Sequence, residues 1–469
     1  MGIVLTWLLR RWRRKKRHPV PQLSQVPRYE TAKAGYPFCL LAVLLFGLQG
    51  LVATAGALDV VFPDLPSPIS FPNGRAIHLN LSLLWPLLGL MGGVYYFFPG
   101  EAGRDLYSEK LARGQFWLTA VVSLAILGTL ALGINEGREY FEAWRPLRAG
   151  LLVTIALMFY NLLRTYLGPG VPKLRPTLIS ILLGTGSLVP LYFPNLLSYG
   201  HQTRDDLVRF WVVHLWEEMS LELAGTGVIA ALLLTMTRVR RETLAAVIYL
   251  ELALVVMTGI FSTGHHYYWI GLPSYWLTIG LVFSGGQLIP ILLLVISTVK
   301  TLAVSGFREL PTNGRLALAF LGASAFYHVT GAGCMGFVLA VPGINRWLHG
   351  TYLTSAHSHL ALAGVFGLLS LSLCLYIMLQ GQQVSKREQQ GLWLSFLLVN
   401  GGLLVMGGGL AAAGALQVYL HRVAGLEFGT VAGLIRPYLL VRALGGIIYA
   451  AGSTWLTWLV LRVAWRRVI

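Results

Sequence analysis

Long uncharged apolar runs recur twelve times along the chain, at about 37–58, 76–98, 115–133, 147–167, 176–194, 208–236, 243–263, 273–298, 313–338, 351–379, 391–416 and 434–461. Each is long enough, at about 1.5 Å per helical residue, to cross the roughly 30 Å of hydrocarbon in a bilayer. Water is absent there, so every backbone polar group must be satisfied within the segment, and the α-helix does this. With 469 residues, 55% hydrophobic and 12% charged, the chain has too little polar surface for a soluble globule of that size. The fold predicted is an all-α polytopic membrane protein: one twelve-helix transmembrane bundle over residues 36–469, preceded by a basic cytoplasmic leader over residues 1–35.

A net charge of +17 raises nucleic acid as a partner, and its distribution argues against one. With the N-terminus in the cytoplasm and the sides alternating, nine of the 36 Lys and Arg lie in residues 1–36. Seventeen fall in the other cytoplasmic segments and ten on the outer side. This positive-inside asymmetry places both termini in the cytoplasm. The run RRWRRKKR, Arg10–Arg17, reads as a topology and anionic-lipid anchor, so the bilayer and not nucleic acid is the expected partner. Cys39, Cys334 and Cys374 are scattered in apolar runs, with no CxxC pair and no CxxCH haem-attachment motif. VNGGLLVMGGGLAAAGALQ reads as a small-residue surface for close helix packing.

The tenth run begins TYLTSAHSHLALAG, with His357 and His359 two residues apart. At 3.6 residues per turn they point about 200° apart, so one helix offers an imidazole to each of two partners. An intramembrane histidine is costly and marks function by default. Two back to back predict a helix wedged between two haems. His78, just inside the second run, matches His359 in depth and suits the opposite face of the same iron; alone it would equally suit a helix end among headgroups. Arg75, one turn before it, fits a haem propionate or ordinary snorkelling. His349, just before the tenth run, is a further propionate partner.

The sixth run, read with its flank, is HQTRDDLVRFWVVHLWEEMSLELAGTG. In it His214 and Glu218 are four apart on one face, Glu222 continues the stripe, and Glu217 points elsewhere. The seventh ends GIFSTGHHYYWIGLP, placing His265 and His266 at the same outer depth. Three imidazoles alone suit copper, zinc or iron, whereas an added carboxylate is a preference of non-haem Fe(II). In the loop NEGREYFEAWRP, Glu139 and Glu142 are three apart on one helical face, which suits Ca²⁺ and equally a solvated surface. His328, inside the ninth run, is read as bonding locally. Glu251, inside the seventh, is left between a protonated core acid, a proton relay and a misplaced boundary.

HLWEE, GTGHHYYWIG and TSAHSHLA, spread over twelve spans, resemble the haem–copper oxidase superfamily, and within it the large (cytochrome b) subunit of bacterial nitric oxide reductase. The likeness runs from about Tyr36 to the last span. It implies a low-spin haem b on His78 and His359 and a high-spin haem b3 on His357. It also implies a non-haem iron on His214, His265, His266 and Glu218. GREYFE resembles the segment whose first glutamate, here Glu139, helps bind Ca²⁺ at the haem propionates, and Glu222 matches a second glutamate below the iron. Oxygen-reducing members of the main type carry a tyrosine where this chain has Glu218, so the resemblance favours 2 NO + 2 e⁻ + 2 H⁺ → N₂O + H₂O, with Glu218 and Glu222 relaying protons from outside.

One position departs from the family. A motif resembling FSALEPLP reads FSGGQLIP here, with Gln287 in place of glutamate, and an amide carries no proton at neutral pH. O₂ reduction or NO dismutation is therefore kept as an alternative. From another class, a proton-coupled transporter would use intramembrane His and Glu without haem. Quinol-oxidising members carry a large N-terminal domain with no counterpart in these residues. The expected donor is accordingly a small membrane-anchored cytochrome c subunit, and the expected location the bacterial inner membrane.

Overall fold

The computed structural model of the protein describes residues 29–66, 69–237, 241–305, 310 and 312–466. Most of the leader, including Arg10–Arg17, lies outside the described residues. Among the described residues twelve apolar helices are long enough to span a bilayer: α1 (Glu30–Val61), α2 (Phe71–Ala102), α3 (Glu109–Ala131), α4 (Arg145–Tyr166), α5 (Pro176–Leu196), α6 (Gln202–Met236), α7 (Leu244–His266), α8 (Tyr275–Ser297), α9 (Asn313–Ala340), α10 (Tyr352–Leu379), α11 (Lys386–Val423) and α12 (Phe428–Trp465). Each of the twelve predicted runs corresponds to one of them. Several helices run past the apolar stretch that signals them; α6 begins at Gln202, not near 208, and α11 and α12 gain residues at both ends. Apolarity measures only the hydrocarbon slab, whereas helical bonding continues into the headgroup zone until a cap stops it. Ser108 accepts from the Leu111 amide at the start of α3, His201 caps α6, and Ser385 with Glu388 forms a capping box for α11.

Helices adjacent in sequence pack together, and α12 returns to lie against α1. The apolar windows of α2 and α10 are each 83% buried and that of α8 only 18%, so α2 and α10 form the centre and α8 lies at the periphery. Lipid is as apolar as these side chains, so helices gain by packing closely. A Cβ on Gly402 would sit 2.4 Å from the Tyr449 amide nitrogen, and one on Gly445 2.4 Å from that of Met406. The glycines of the expected small-residue surface thus let α11 and α12 meet backbone to backbone.

The outer rim is tied by ions. Arg148, almost fully buried, reaches Glu136 at 2.6 Å and the Asn195 carbonyl at 2.9 Å, while Arg138 reaches Asp205 at 2.8 Å. These contacts clamp loop 132–144 across the ends of α4, α5 and α6. Burial by itself would raise the Glu136 carboxyl. The Arg145 amide and the Arg148 and Arg145 guanidinium groups outweigh it and hold the carboxyl below the usual range. The clamp's stabilisation is therefore present above the ordinary carboxylate range and lost as pH falls through that lowered value.

Gly402→Leu should cost about 1–3 kcal/mol by overpacking α11 against α12. Gly401→Ala, at a neighbouring position with open space around a Cβ, should leave the protein as stable as before. Thermal unfolding in detergent measures both; equal midpoints would show that this contact is not close-packed in solution.

Candidate active site

Among the described residues four helices break their own register, α11 in its last turn, Val418–Val423, and three others where they line the central cavity. Residues Trp216–Leu221 of α6, His328–Cys334 of α9 and Leu362–Gly367 of α10 are π-helical. Such i→i+5 turns are rare and frequent at functional sites, because the wider turn re-aims side chains. They surround one cavity of about 1010 Å³. The π turn corrects one expectation: Glu217 does not point away but lines the cavity beside Glu218 and Glu222, since neighbouring residues diverge less in angle on a wider turn.

His214, Glu218, His265 and His266 form a four-residue cage, each offering one ligand atom, with all four atoms within 4.8 Å of one another. Glu218 Oε1 lies 3.1 Å from His214 Nδ1, 3.6 Å from His265 Nε2 and 3.7 Å from His266 Nε2, and His266 Nε2 lies 3.2 Å from His214 Nδ1. Four ligands about 2.1 Å from a tetrahedral metal would be about 3.4 Å apart, so the cage is already the size of a coordination sphere. The tautomer of His214 also fits. His214 Nε2 is 2.8 Å from the Gly259 carbonyl, which can only accept, so Nε2 bears the proton and the Nδ1 lone pair faces the cage. Ser262 Oγ sits 3.0 Å from the same Nε2. The adjacent His265 and His266 converge because Ser262–His266 tightens into a 3₁₀ turn. That turn is wedged against α8, where a Cβ on Gly264 would meet the Trp276 carbonyl oxygen at 2.3 Å.

The two histidines of α10 face different neighbours. His357 Nδ1 donates to the Gly331 carbonyl on α9 at 2.9 Å, and Gly336 leaves room beside its ring. His359 Nδ1 donates to the Ser355 carbonyl at 2.7 Å, and its ring centroid lies 5.9 Å from that of His78 on α2, with planes 28° from parallel. Two metal–nitrogen bonds of about 2 Å plus the ring radii require a separation of about 6 Å. Gln49 on α1 governs His78. Its Nε2 lies 3.0 Å from His78 Nδ1 and donates to the His78 carbonyl oxygen at 3.2 Å, so one amide holds both the ring and the backbone of that histidine.

Other expectations change. Residues 139–142 are not helical, and Tyr140 between the two acids has a φ of 69°, a strained backbone for a bulky residue. Glu139 and Glu142 therefore part: Glu139 pairs with Arg75 at 2.5 Å on the cavity rim, while Glu142 is buried against Asn80 at 3.1 Å. Burial raises the Glu142 carboxyl. His349 lines the same rim, its ring 4.7 Å from that of Trp269. His328 does not bond locally; it reaches Glu222 across the bundle at 2.9 Å. Glu251 lies well inside α7 and accepts from Thr226 at 2.6 Å. Gln49, Ser262 and Thr226 are not picked out by sequence reasoning. For Gln49 a signal exists, a lone amide in the otherwise apolar LFGLQGL.

The sequence profile described as "Cytochrome C and Quinol oxidase polypeptide I" matches residues 33–448, which contain every one of these side chains. The chain belongs to that family. Its haem-bearing, membrane-embedded oxidoreductase character follows. This cytochrome c and quinol oxidase polypeptide I relative is 29% identical over 450 residues to a nitric oxide reductase subunit of Stutzerimonas stutzeri, covering 91% of this chain and 93% of that one. It is 25% identical over 451 residues to the cbb3-type cytochrome c oxidase subunit CcoN1 of the same organism, at 88% and 90% coverage. A cryo-EM structure of a heme-copper terminal oxidase dimer superposes with a TM-score of 0.74 at 14% identity, over 92% of this chain and 84% of that one. Several relatives are named as subunits, so partner subunits are expected of this family member too.

Ser262→Ala should loosen His214 and weaken metal binding about 10-fold, the lower end of the effect of removing an outer-shell partner. Metal titration of the depleted protein reads this; unchanged affinity would assign the orientation of His214 to the Gly259 carbonyl alone.

Proposed function

We propose that the chain is the catalytic subunit of a nitric oxide reductase, carrying out 2 NO + 2 e⁻ + 2 H⁺ → N₂O + H₂O. The observation that carries this reading is Glu218. It stands 3.1 Å from His214 within the three-histidine cage and gives the metal a carboxylate oxygen, the donor set that suits non-haem Fe(II). The similarity to the Stutzerimonas stutzeri nitric oxide reductase protein, over 93% of its length, supports it. In this reading His78 and His359 hold a low-spin haem b, His357 holds a high-spin haem b3, and the cage holds the non-haem iron. When bound, the paired irons supply two NO sites and the electrons that join the two nitrogens.

The protein's own groups do the rest. The Nδ1–H bonds of His357 and His359 to backbone carbonyls fix each ring so that Nε2 is the free ligand. Gly336 keeps the His357 face of the cavity open. Glu218 orients the cage, and Glu222, four residues further along α6, lines the same cavity and is held by His328 at 2.9 Å. At the rim Arg75 and His349 would meet haem propionates, and Glu139, beside Arg75, would supply an oxygen to a Ca²⁺ shared with them. A small membrane-anchored cytochrome c subunit would dock over this outer face and deliver electrons. The location is the bacterial inner membrane with both termini cytoplasmic, from the Lys and Arg distribution.

A second reading, O₂ reduction or NO dismutation, is favoured by one feature. Gln287 occupies the place of an acid and donates from Nε2 to the Glu218 carbonyl oxygen at 3.2 Å, so this point of the site carries no exchangeable proton.

Metal and haem analysis followed by anaerobic NO consumption tests the assignment. The reductase predicts about two haems and one non-haem iron per chain, with N₂O as product. Copper in the cage, or O₂ formed from NO, would overturn it. His359→Ala should remove the low-spin absorbance, and unchanged absorbance would rule out that ligand. Glu218→Ala should lower iron occupancy and reduce NO turnover by at least about 10²-fold, the loss typical of a missing catalytic group; full iron with full activity would show that the carboxylate is incidental.

A further inference from the structure

A polar stripe continues down α6 beyond the cage. His214, Glu218, Glu222 and Thr226 follow at steps of four in sequence, and the last two lie beyond the wide turn. Each lower member is met from another helix: Glu222 by His328 of α9 at 2.9 Å, Thr226 by Glu251 of α7 at 2.6 Å. Glu222, Glu251 and His328 line the same cavity as Glu218 and His357. Glu251 is only 3% exposed, and although Thr226 donates to its Oε1, its Oε2 is buried with no hydrogen-bond partner. A bare carboxylate oxygen so placed is expensive, whereas a neutral acid is tolerated and carries a proton it can give up. The Thr226–Glu251 pair has no place in the cage, and packing does not explain an orphaned oxygen facing a cavity.

We propose that Glu251, His328 and Glu222 form a proton relay beneath the metal cage, with Glu251 as the store, His328 as the shuttle and Glu222 as the last holder before the reacting centre. The transfer balances without electrons. The Glu251 O–H breaks as an N–H forms on His328 Nδ1, the proton passing through water in the cavity that both side chains line. The His328 Nε2–H then breaks as an O–H forms on Glu222 Oε1, to which that nitrogen already points. Thr226 keeps Glu251 Oε1 turned away, leaving Oε2 to donate into the cavity. The relay supplies from within the bundle the proton that Gln287 cannot hold. It rests on the reading that the centre consumes protons. Glu251 and His328 are positioning residues that act through Glu222.

The test uses the holoenzyme and the variants Glu251→Gln and Glu251→Asp. The fully reduced protein is mixed with NO, and haem oxidation is followed together with proton uptake from a pH-indicating dye. Glu251→Gln should retain haem and iron content and the initial ligand-binding step. It should slow proton uptake and the coupled haem oxidation by about 10²-fold, the size of a lost general acid, and enlarge the solvent isotope effect. Glu251→Asp should restore most of the rate. Full-speed proton uptake in Glu251→Gln would overturn the relay, and so would equal loss of haem or iron in both variants, which marks a structural role. A wild-type protein that carries haem and iron yet consumes no NO would sink the reductase assignment instead; the same variants with O₂ as oxidant would then decide the relay.

Discussion

Everything in this bundle depends on the cost of a charged or unpaired polar group in hydrocarbon. An isolated imidazole or carboxylate inside a span is tolerated only where it meets a partner, a metal or water. His214, Glu218, His265 and His266 meet one another at 3.1–3.7 Å, and Glu222 meets His328 at 2.9 Å. The helices that carry them, α6, α7 and α9, are thereby made to face a common cavity. The site is thus part of what fixes the arrangement of the spans.

The second constraint is backbone geometry. The i→i+5 turns of α6, α9 and α10 cost regular hydrogen bonding, yet all three line the cavity. On α6 the wide turn brings Glu217 round to join Glu218 at the cavity. On α9 it opens the Gly331 carbonyl for His357, and the 3₁₀ turn at the end of α7 acts in the opposite sense, tightening the chain so that two adjacent histidines converge. The outer clamp of Arg148 and Glu136 holds the strained Tyr140 loop over the cavity rim by a related device, a buried ion pair whose partners come from the loop and the ends of neighbouring helices.

Much of this is legible in the sequence. The twelve spans are, because a run of some twenty apolar residues has few soluble explanations. The pairing of His214 with Glu218 is readable from a spacing of four, and the divergence of His357 and His359 from a spacing of two. Sequence reasoning fails where local periodicity fails. An ideal 3.6-residue turn carried through the π segment puts Glu217 on the wrong face. The spacing of Glu139 and Glu142 suggests a helix that the clamped loop does not form. A local partner for His328 is the wrong expectation, and Thr226 escapes notice, because their partners lie 106 and 25 residues away in sequence.

The sequence by itself therefore determined the membrane class, the number of spans, the charge asymmetry along the chain and the identities of the candidate metal- and haem-binding side chains. These follow from composition and from spacings within one helix. Which helices meet, the cage's 3 to 4 Å spacings and the coupling of Glu222 to His328 and of Thr226 to Glu251 were decided by the tertiary structure. Contacts between helices depend on crossing, depth and rotation about each axis, and the π turns that set those rotations are products of packing with no marker in the local sequence.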